Sequence, residues 1–136
     1  MKKKAKDDFT VSELNILRLL WTEKRSLSCA EMLELLPELN LFSTSIYAIL
    51  EGMISKGVLM VDGKIRSGKR YARTYKPTIS QEDFATSQMF KLTSNIPKTE
   101  RLVGIFASMV NHEGLDTETL SKLEEFLQQK RKELDL

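Results

Sequence analysis

Apolar residues recur every three or four positions through the first third of the chain. Each recurrence opens on a hydroxyl residue, twice followed three places later by glutamate. The segment FTVSELNILRLLWT (9–22) carries Leu14, Leu17, Leu20 and Trp21 at helical spacing. Thr10 and Glu13 form a capping box at its start, with Phe9 and Leu14 at the two staple positions. LSCAEMLELL (27–36) repeats the device with Ser28 and Glu31 as the box and Leu27 and Met32 as the staple. Pro37, which has no amide proton to continue the ladder, ends that helix. After a short turn over 38–41, FSTSIYAILEGMISKG (42–57) predicts a third helix capped at Ser43. Its buried stripe is Ile46, Ile49, Leu50, Met53 and Ile54, so Thr44, Ser45, Tyr47, Ala48 and Glu51 face outward. A cation in the last turn followed by glycine, Lys56-Gly57, marks its end.

From Val58 the period shortens. VLMV (58–61) is β-prone, DGKIRSGK holds two glycines, and RYARTY alternates up to Pro77, which together predict a β-hairpin with Lys64 to Lys69 as its arm. Helix, helix, turn, helix, hairpin is the order of a winged helix-turn-helix. Helical period then returns. Ser80 with Asp83 starts a helix running to about Leu92, SNIPKT (94–99) breaks it, and ERLVGIFASMV places Leu102, Ile105, Phe106, Met109 and Val110 on one stripe that stops near Gly114. Asp116 caps a last helix with Leu120, Leu123, Phe126, Leu127 and Leu134 on its apolar side.

The expected fold class is therefore mainly α with a small β-hairpin wing. A winged helix-turn-helix over 1–78 precedes a helical domain over 79–136. Short amphipathic helices bury too little surface alone, so the later stripes need a partner. For a protein that grips a duplex, a symmetric homodimer answers that need and doubles the contact. The expected dimerisation residues are Leu102, Ile105, Phe106, Met109, Leu120, Leu123, Phe126 and Leu127.

Composition is ordinary for a globular chain of 136 residues, at 41% hydrophobic and 29% charged, and too apolar for disorder. No apolar run approaches the roughly 18–20 residues that span a bilayer, so no membrane insertion is expected. No signal-peptide core follows the basic start MKKKAKDD. A single cysteine, Cys29, excludes an internal disulfide and fits a reducing compartment. A cytoplasmic location is the expectation. Charge is distributed unevenly. Residues 1–78 hold 14 Lys/Arg against 9 Asp/Glu, a net of +5, and residues 79–136 hold 7 against 10, a net of −3. Only the first half is suited to a polyanion.

Catalytic chemistry finds little support. His112, the sole histidine, sits beside Glu113 and Gly114 at a helix end, where a surface residue is the plain reading. Cys29 follows a helix cap, but a small half-buried thiol is the default there. One Cys and one His make no zinc or copper site, and no phosphate-binding or dinucleotide loop is present. The expectation is a non-enzyme without cofactor or metal. The positive signal is GKIRSGKRYARTYK (63–76), in which Lys64, Arg66, Lys69, Arg70, Arg73 and Lys76 occur with no acid among them, interleaved with Tyr71 and Tyr75. Long cations on a projecting hairpin suit phosphate contacts, and Lys64, Arg66, Lys69, Arg70 and Arg73 are assigned to them.

Several stretches carry a family resemblance. T-V-S-E-L-N-I-L-R-L-L-W (10–21), S-C-A-E-M (28–32), I-S-K-G-V-L (54–59), R-T-Y-K-P (73–77), L-V-G-I-F (102–106) and L-D-T-E-T-L-S-K-L-E-E-F-L (115–127) together resemble the penicillinase-repressor (BlaI/MecI/CopY) family over nearly the whole chain. The Ser-x-x-Glu-Leu…Leu-Trp opening is the most specific of them. The resemblance implies a cytoplasmic homodimeric repressor on pseudo-palindromic operators with TACA/TGTA-type half-sites, joined through its C-terminal helices. It also implies an upstream signal from a membrane sensor or protease in the antibiotic-responsive branch, and a cysteine cluster in the copper branch. This chain departs at three points. Thr44 or Tyr47, and Gly52, stand where the family usually has Lys or Arg; Ile105-Phe106 aligns with the cleaved Asn-Phe bond; and the copper cluster is absent. Architecture and DNA binding carry over, and the inducer does not.

The base-reading set expected on double-stranded DNA is Ser43, Thr44, Ser45, Tyr47, Ala48 and Glu51, whose hydroxyls can pair with several bases and whose apolar atoms suit thymine methyls. Two alternatives stay open: a PadR-like regulator responding to a small molecule, and a winged-helix module that docks on protein through its third helix.

Overall fold

Both capping boxes close as drawn from the sequence. In the computed structural model, which describes residues 8–41 (Asn40 and Leu41 by backbone only) and 45–136, Thr10 Oγ1 accepts from the Glu13 amide at 3.2 Å. The Glu13 carboxylate in turn accepts from the Thr10 amide at 2.8 Å. They start helix α1 (Val11–Glu23). Ser28 and Glu31 exchange the same pair of bonds at the head of α2 (Cys29–Leu35). Each box satisfies amides that have no partner within the helix, at about 1 kcal/mol per cap. α2 ends where Pro37 opens a 3-10 turn, Pro37–Leu41.

The third helix, α3 (Ile46–Ser55), starts later than the sequence pattern predicts. Ser45 is its N-cap, with an extended ψ of 141° and its hydroxyl accepting from the Tyr47 amide at 3.2 Å. A helix capped at Ser43 would need a helical Ser45, so that expectation is corrected. Ser45, expected on the outward face of the helix, is instead the residue that caps it. At the other end Gly57 takes φ 81°, as the Lys56-Gly57 signal requires.

The sheet has one strand more than a hairpin. β2 (Leu59–Ser67) and β3 (Arg70–Pro77) pair antiparallel, and the two-residue β1 (Leu27–Ser28) joins the other edge of β3, giving the order β1-β3-β2. Leu27 was expected only as a staple, yet it pairs with Tyr75 as well. Two residues are too few for an alternating pattern, which is why the strand left no trace in the sequence. Gly68 at φ 64° opens the two-residue turn between β2 and β3, the type II′ pattern whose twist matches paired strands.

Ile16, Leu17, Leu20, Leu27, Met32, Leu50, Met53 and Leu59 are fully buried in one core between α1, α2, α3 and the base of the sheet. An aromatic cluster extends it: Phe84 lies 5.0 Å from Phe9, edge to face, and 5.5 Å from Trp21, whose indole donates to the Ile79 carbonyl at 3.0 Å. These contacts draw the start of α4 (Gln81–Leu92) into the first compact unit, which extends to Met89; the second unit is Phe90–Leu136. That unit holds α5 (Lys98–Glu113) and α6 (Thr117–Leu134), the latter capped by Asp116 accepting from the Thr119 amide at 2.7 Å. Arg101 ties the turn between α4 and α5 by donating to the Thr93 and Ile96 carbonyls at 3.1 and 2.7 Å, its guanidinium over Phe90. The fold is mainly helical with a small three-stranded antiparallel sheet, a winged helix followed by C-terminal helices.

Candidate nucleic-acid interface

Ser45, Tyr47, Ala48 and Glu51 all lie on the exposed side of α3, while Ile46, Leu50 and Met53 anchor its other side in the core. Ser43 and Thr44 lie outside the described residues. Tyr47 is 63% exposed, and its phenol, like that of Tyr75, lies near the Cys29 thiol. Burial pushes the Cys29 thiol up, and the two phenol contacts only partly oppose this. The cysteine is a packing residue beneath the helix, not a thiolate.

Lys56 is the only cation of the third-helix segment 45–57, and it points inward. Its ammonium donates to both Glu13 carboxylate oxygens at 2.8 Å and to the Asp8 carbonyl at 2.7 Å, and it sits 4.9 Å over the Phe9 ring. Burial raises the Glu13 carboxyl, but hydrogen bonds from Lys56 and Thr10 and the Lys56 charge outweigh it and hold the group below its usual range. α3 therefore offers its outward surroundings one formal charge, the negative one of Glu51.

The wing compensates. Lys64, Arg66, Lys69, Arg70 and Arg73 are all exposed. Lys64 is paired across the strands with Arg73, and Arg66 with Tyr71, so these four share one face of the hairpin. Lys64 lies 5.0 Å over the Tyr71 ring, which confirms the shared face. Tyr75, two residues beyond Arg73, occupies the same face further down, where it is buried beside Cys29 and Tyr47. The alternation thus runs the cationic face of the wing directly into the exposed side of α3. Between them lies a groove of about 570 Å³ whose walls include Tyr47 and Glu51 on one side and Arg70, Tyr71 and Arg73 on the other.

Two members of the basic run take other roles. Tyr75 is a core residue, so Tyr71 is the tyrosine the wing exposes. Lys76 is 3.2 Å from Asp62, the extra residue of a bulge between Val61 and Gly63, and Asp62 also accepts from the Ser26 hydroxyl. The network pins the root of the wing to the loop after α1. The acid that neutralises Lys76 is remote in sequence and adjacent across the strands, a relation that charge counting along the chain does not register.

In the second unit the expected interface residues form an uncovered apolar surface. Leu102, Phe106, Met109, Leu120, Phe126 and Leu127 are exposed, Ile105 and Leu123 are half-buried, and α5 and α6 bury no residue at all. No group of three or more His, Cys, Asp or Glu residues suited to a metal ion occurs among the described residues. No helix of the described residues is long and apolar enough to cross a membrane.

The family follows from a match over residues 9–129 to the model of the penicillinase repressor. The chain belongs to the penicillinase-repressor family. No curated protein matches it. This is a family of transcriptional repressors and not of enzymes. The match runs through both units, so membership attaches to the winged unit and the C-terminal helices together.

Proposed function

We propose that this penicillinase-repressor family member acts as a homodimer, placing α3 of each protomer in the major groove of a pseudo-palindromic operator. The reading domain is 1–78 and the dimerisation domain 79–136. Wing cations Lys64, Arg66, Lys69, Arg70 and Arg73 hold the phosphates, and Ser43, Thr44, Ser45, Tyr47, Ala48 and Glu51 meet the base edges. The observation that carries this reading is the shared face: the exposed side of α3 and the cationic side of the wing border one groove. A duplex backbone entering there meets arginines while the helix reaches the bases. The homodimer rests on the uncovered stripes of α5 and α6, which in water are covered most economically by a second copy.

A salt titration of binding to a selected duplex tests the proposal. Affinity should fall steeply as salt rises, with a log–log slope of about −0.9 per phosphate neutralised. Failure to bind either selected or random duplex at low salt would remove the repressor reading. It would favour the protein-docking alternative, for which the absence of an available cation on α3 is the supporting observation.

A further inference from the structure

Glu51 is an exposed carboxylate on a surface otherwise built for a polyanion. It lies one turn beyond Tyr47 on the same side of α3, and its charge is felt at the buried Tyr75 phenol. Its carboxylate makes no hydrogen bond and no ion pair among the described residues. Arg73 shares the groove wall opposite, but no bridge between them is formed. Lys56, the only cation of segment 45–57, is engaged by Glu13 and the Asp8 carbonyl.

An ionised carboxylate only accepts hydrogen bonds, so in a major groove it is repelled by phosphate and by every base edge that presents acceptors. Two edges present donors, the N4 amino group of cytosine and the N6 amino group of adenine. Adenine places its N7 lone pair beside N6, where it opposes the second carboxylate oxygen. Cytosine places a C5–H beside N4 and has no such conflict. A lone carboxylate on a reading helix therefore favours cytosine and penalises the other three bases.

We infer that Glu51 is a specificity-determining residue of the reading helix, admitting duplexes with cytosine at one position of each half-site and weakening binding to all others. This rests on the operator-binding reading above and deepens it. The helix then contributes discrimination through a penalty, and the wing supplies the affinity that makes the penalty tolerable.

The test selects duplexes from a random library with the full-length wild type, Glu51→Ala and Glu51→Gln, then measures each protein on random-sequence duplex. Glu51 is exposed and unbonded, so both variants should fold as the wild type does, checked by circular dichroism. The wild type should enrich cytosine at one position per half-site. Glu51→Ala should lose that enrichment and bind random duplex roughly threefold to tenfold more tightly, since a repulsive charge is gone. Glu51→Gln should shift the preference at that position from cytosine toward adenine, whose N6 and N7 match a carboxamide. Identical selected sequences from all three proteins, or unchanged random-duplex affinity in Glu51→Ala, would overturn the inference while leaving the repressor reading intact. A wild type that binds no duplex at low salt removes both.

Discussion

Among the described residues, eight large side chains of the first unit, from Ile16 to Leu59, are sealed from water, whereas α5 and α6 of the second seal none. Both units are written in the same amphipathic code, and the apolar stripe of α6 is as regular as that of α1. What differs is closure. In the first unit three helices and a sheet face one another, so each stripe finds a partner within the chain. In the second, Leu102, Phe106, Met109, Phe126 and Leu127 remain largely in solvent. A regular stripe thus says that a helix will be covered, and only the count of neighbouring elements says by what. One unit buries its stripes within the chain, and the other leaves the surface that the proposed second copy would cover.

The largest expected effect breaks that contrast. Leu127→Asp should convert the proposed homodimer to monomer. Each buried leucine is worth about 1.5–3 kcal/mol and a two-fold interface uses it twice, so dissociation should strengthen by about 10²–10⁴. Sedimentation velocity reads the mass directly. Thermal unfolding followed through the Trp21 fluorescence should stay near wild type, because Trp21 belongs to the core that needs no partner. A variant that stays dimeric would mean that the stripe of α6 is not the covered surface.

The second effect sharpens how the first unit is closed. Lys56 and Glu13 have only 17% and 7% of their side chains exposed, so Lys56→Met strands a carboxylate inside the fold. Removing one member of a buried pair costs about 3 kcal/mol, roughly 12 °C or more in the melting temperature of a unit this size. The Glu13→Gln variant adds a pH signature. The Glu13 carboxyl is depressed in the folded state, so its stabilising contribution is full above its unfolded value near pH 4.5 and is lost as pH falls through the lower folded value. The difference in melting temperature between wild type and Glu13→Gln should therefore be constant from pH 7 to about 5 and close toward pH 3. A gap that widened on acidification would contradict the ion pair.

Much of this was legible in the residues. Both capping boxes, the Pro37 stop, the Gly57 and Gly114 stops, the Ser80 and Asp116 starts and the hairpin are local devices, readable because their physics is confined to a few neighbouring residues. The features that escaped are those made by distant residues meeting. Strand β1 exists only because Leu27 and Ser28 border Tyr75 and Thr74. Lys56 carries the marks of a helix-terminal surface cation, and Glu13 those of a capping residue; their pairing spans 43 positions. Tyr75 alternates with the wing cations in sequence yet belongs to the core, because the face of β3 that is exposed at Arg73 passes under α3 two residues later. The exposed side of α3 was legible as a surface without cations, but the inward engagement of Lys56 by Glu13 was not.

That lack separates the wing from the helix. Arg66→Ala with Arg70→Ala should weaken binding to operator and random duplex by the same factor, about tenfold per arginine if each gives up one charge-assisted phosphate contact. The slope of log affinity against log salt should become shallower by about 0.9 for each cation removed. Arg66 also donates to the Gly68 carbonyl at 3.2 Å, so the single variants should be compared, with Arg70→Ala giving the cleaner phosphate term. A loss confined to the operator would move the wing from grip to readout.

The smallest effect falls on Tyr47. Its ring is 63% exposed and its phenol lies near the Cys29 thiol, giving the helix an apolar surface without charge. A phenol so placed adds little to non-specific attraction and can only discriminate by shape and by contact with thymine methyls. Tyr47→Ala should therefore leave random-duplex affinity within about twofold and reduce the preference for the selected operator by several-fold, about 1 kcal/mol, the low end for a base contact. Tyr47→Phe separates the ring from its hydroxyl: if the ring alone reads, it should keep most of the preference. Equal losses on operator and random duplex for Tyr47→Ala would assign the tyrosine to packing and leave discrimination on α3 to its remaining outward residues.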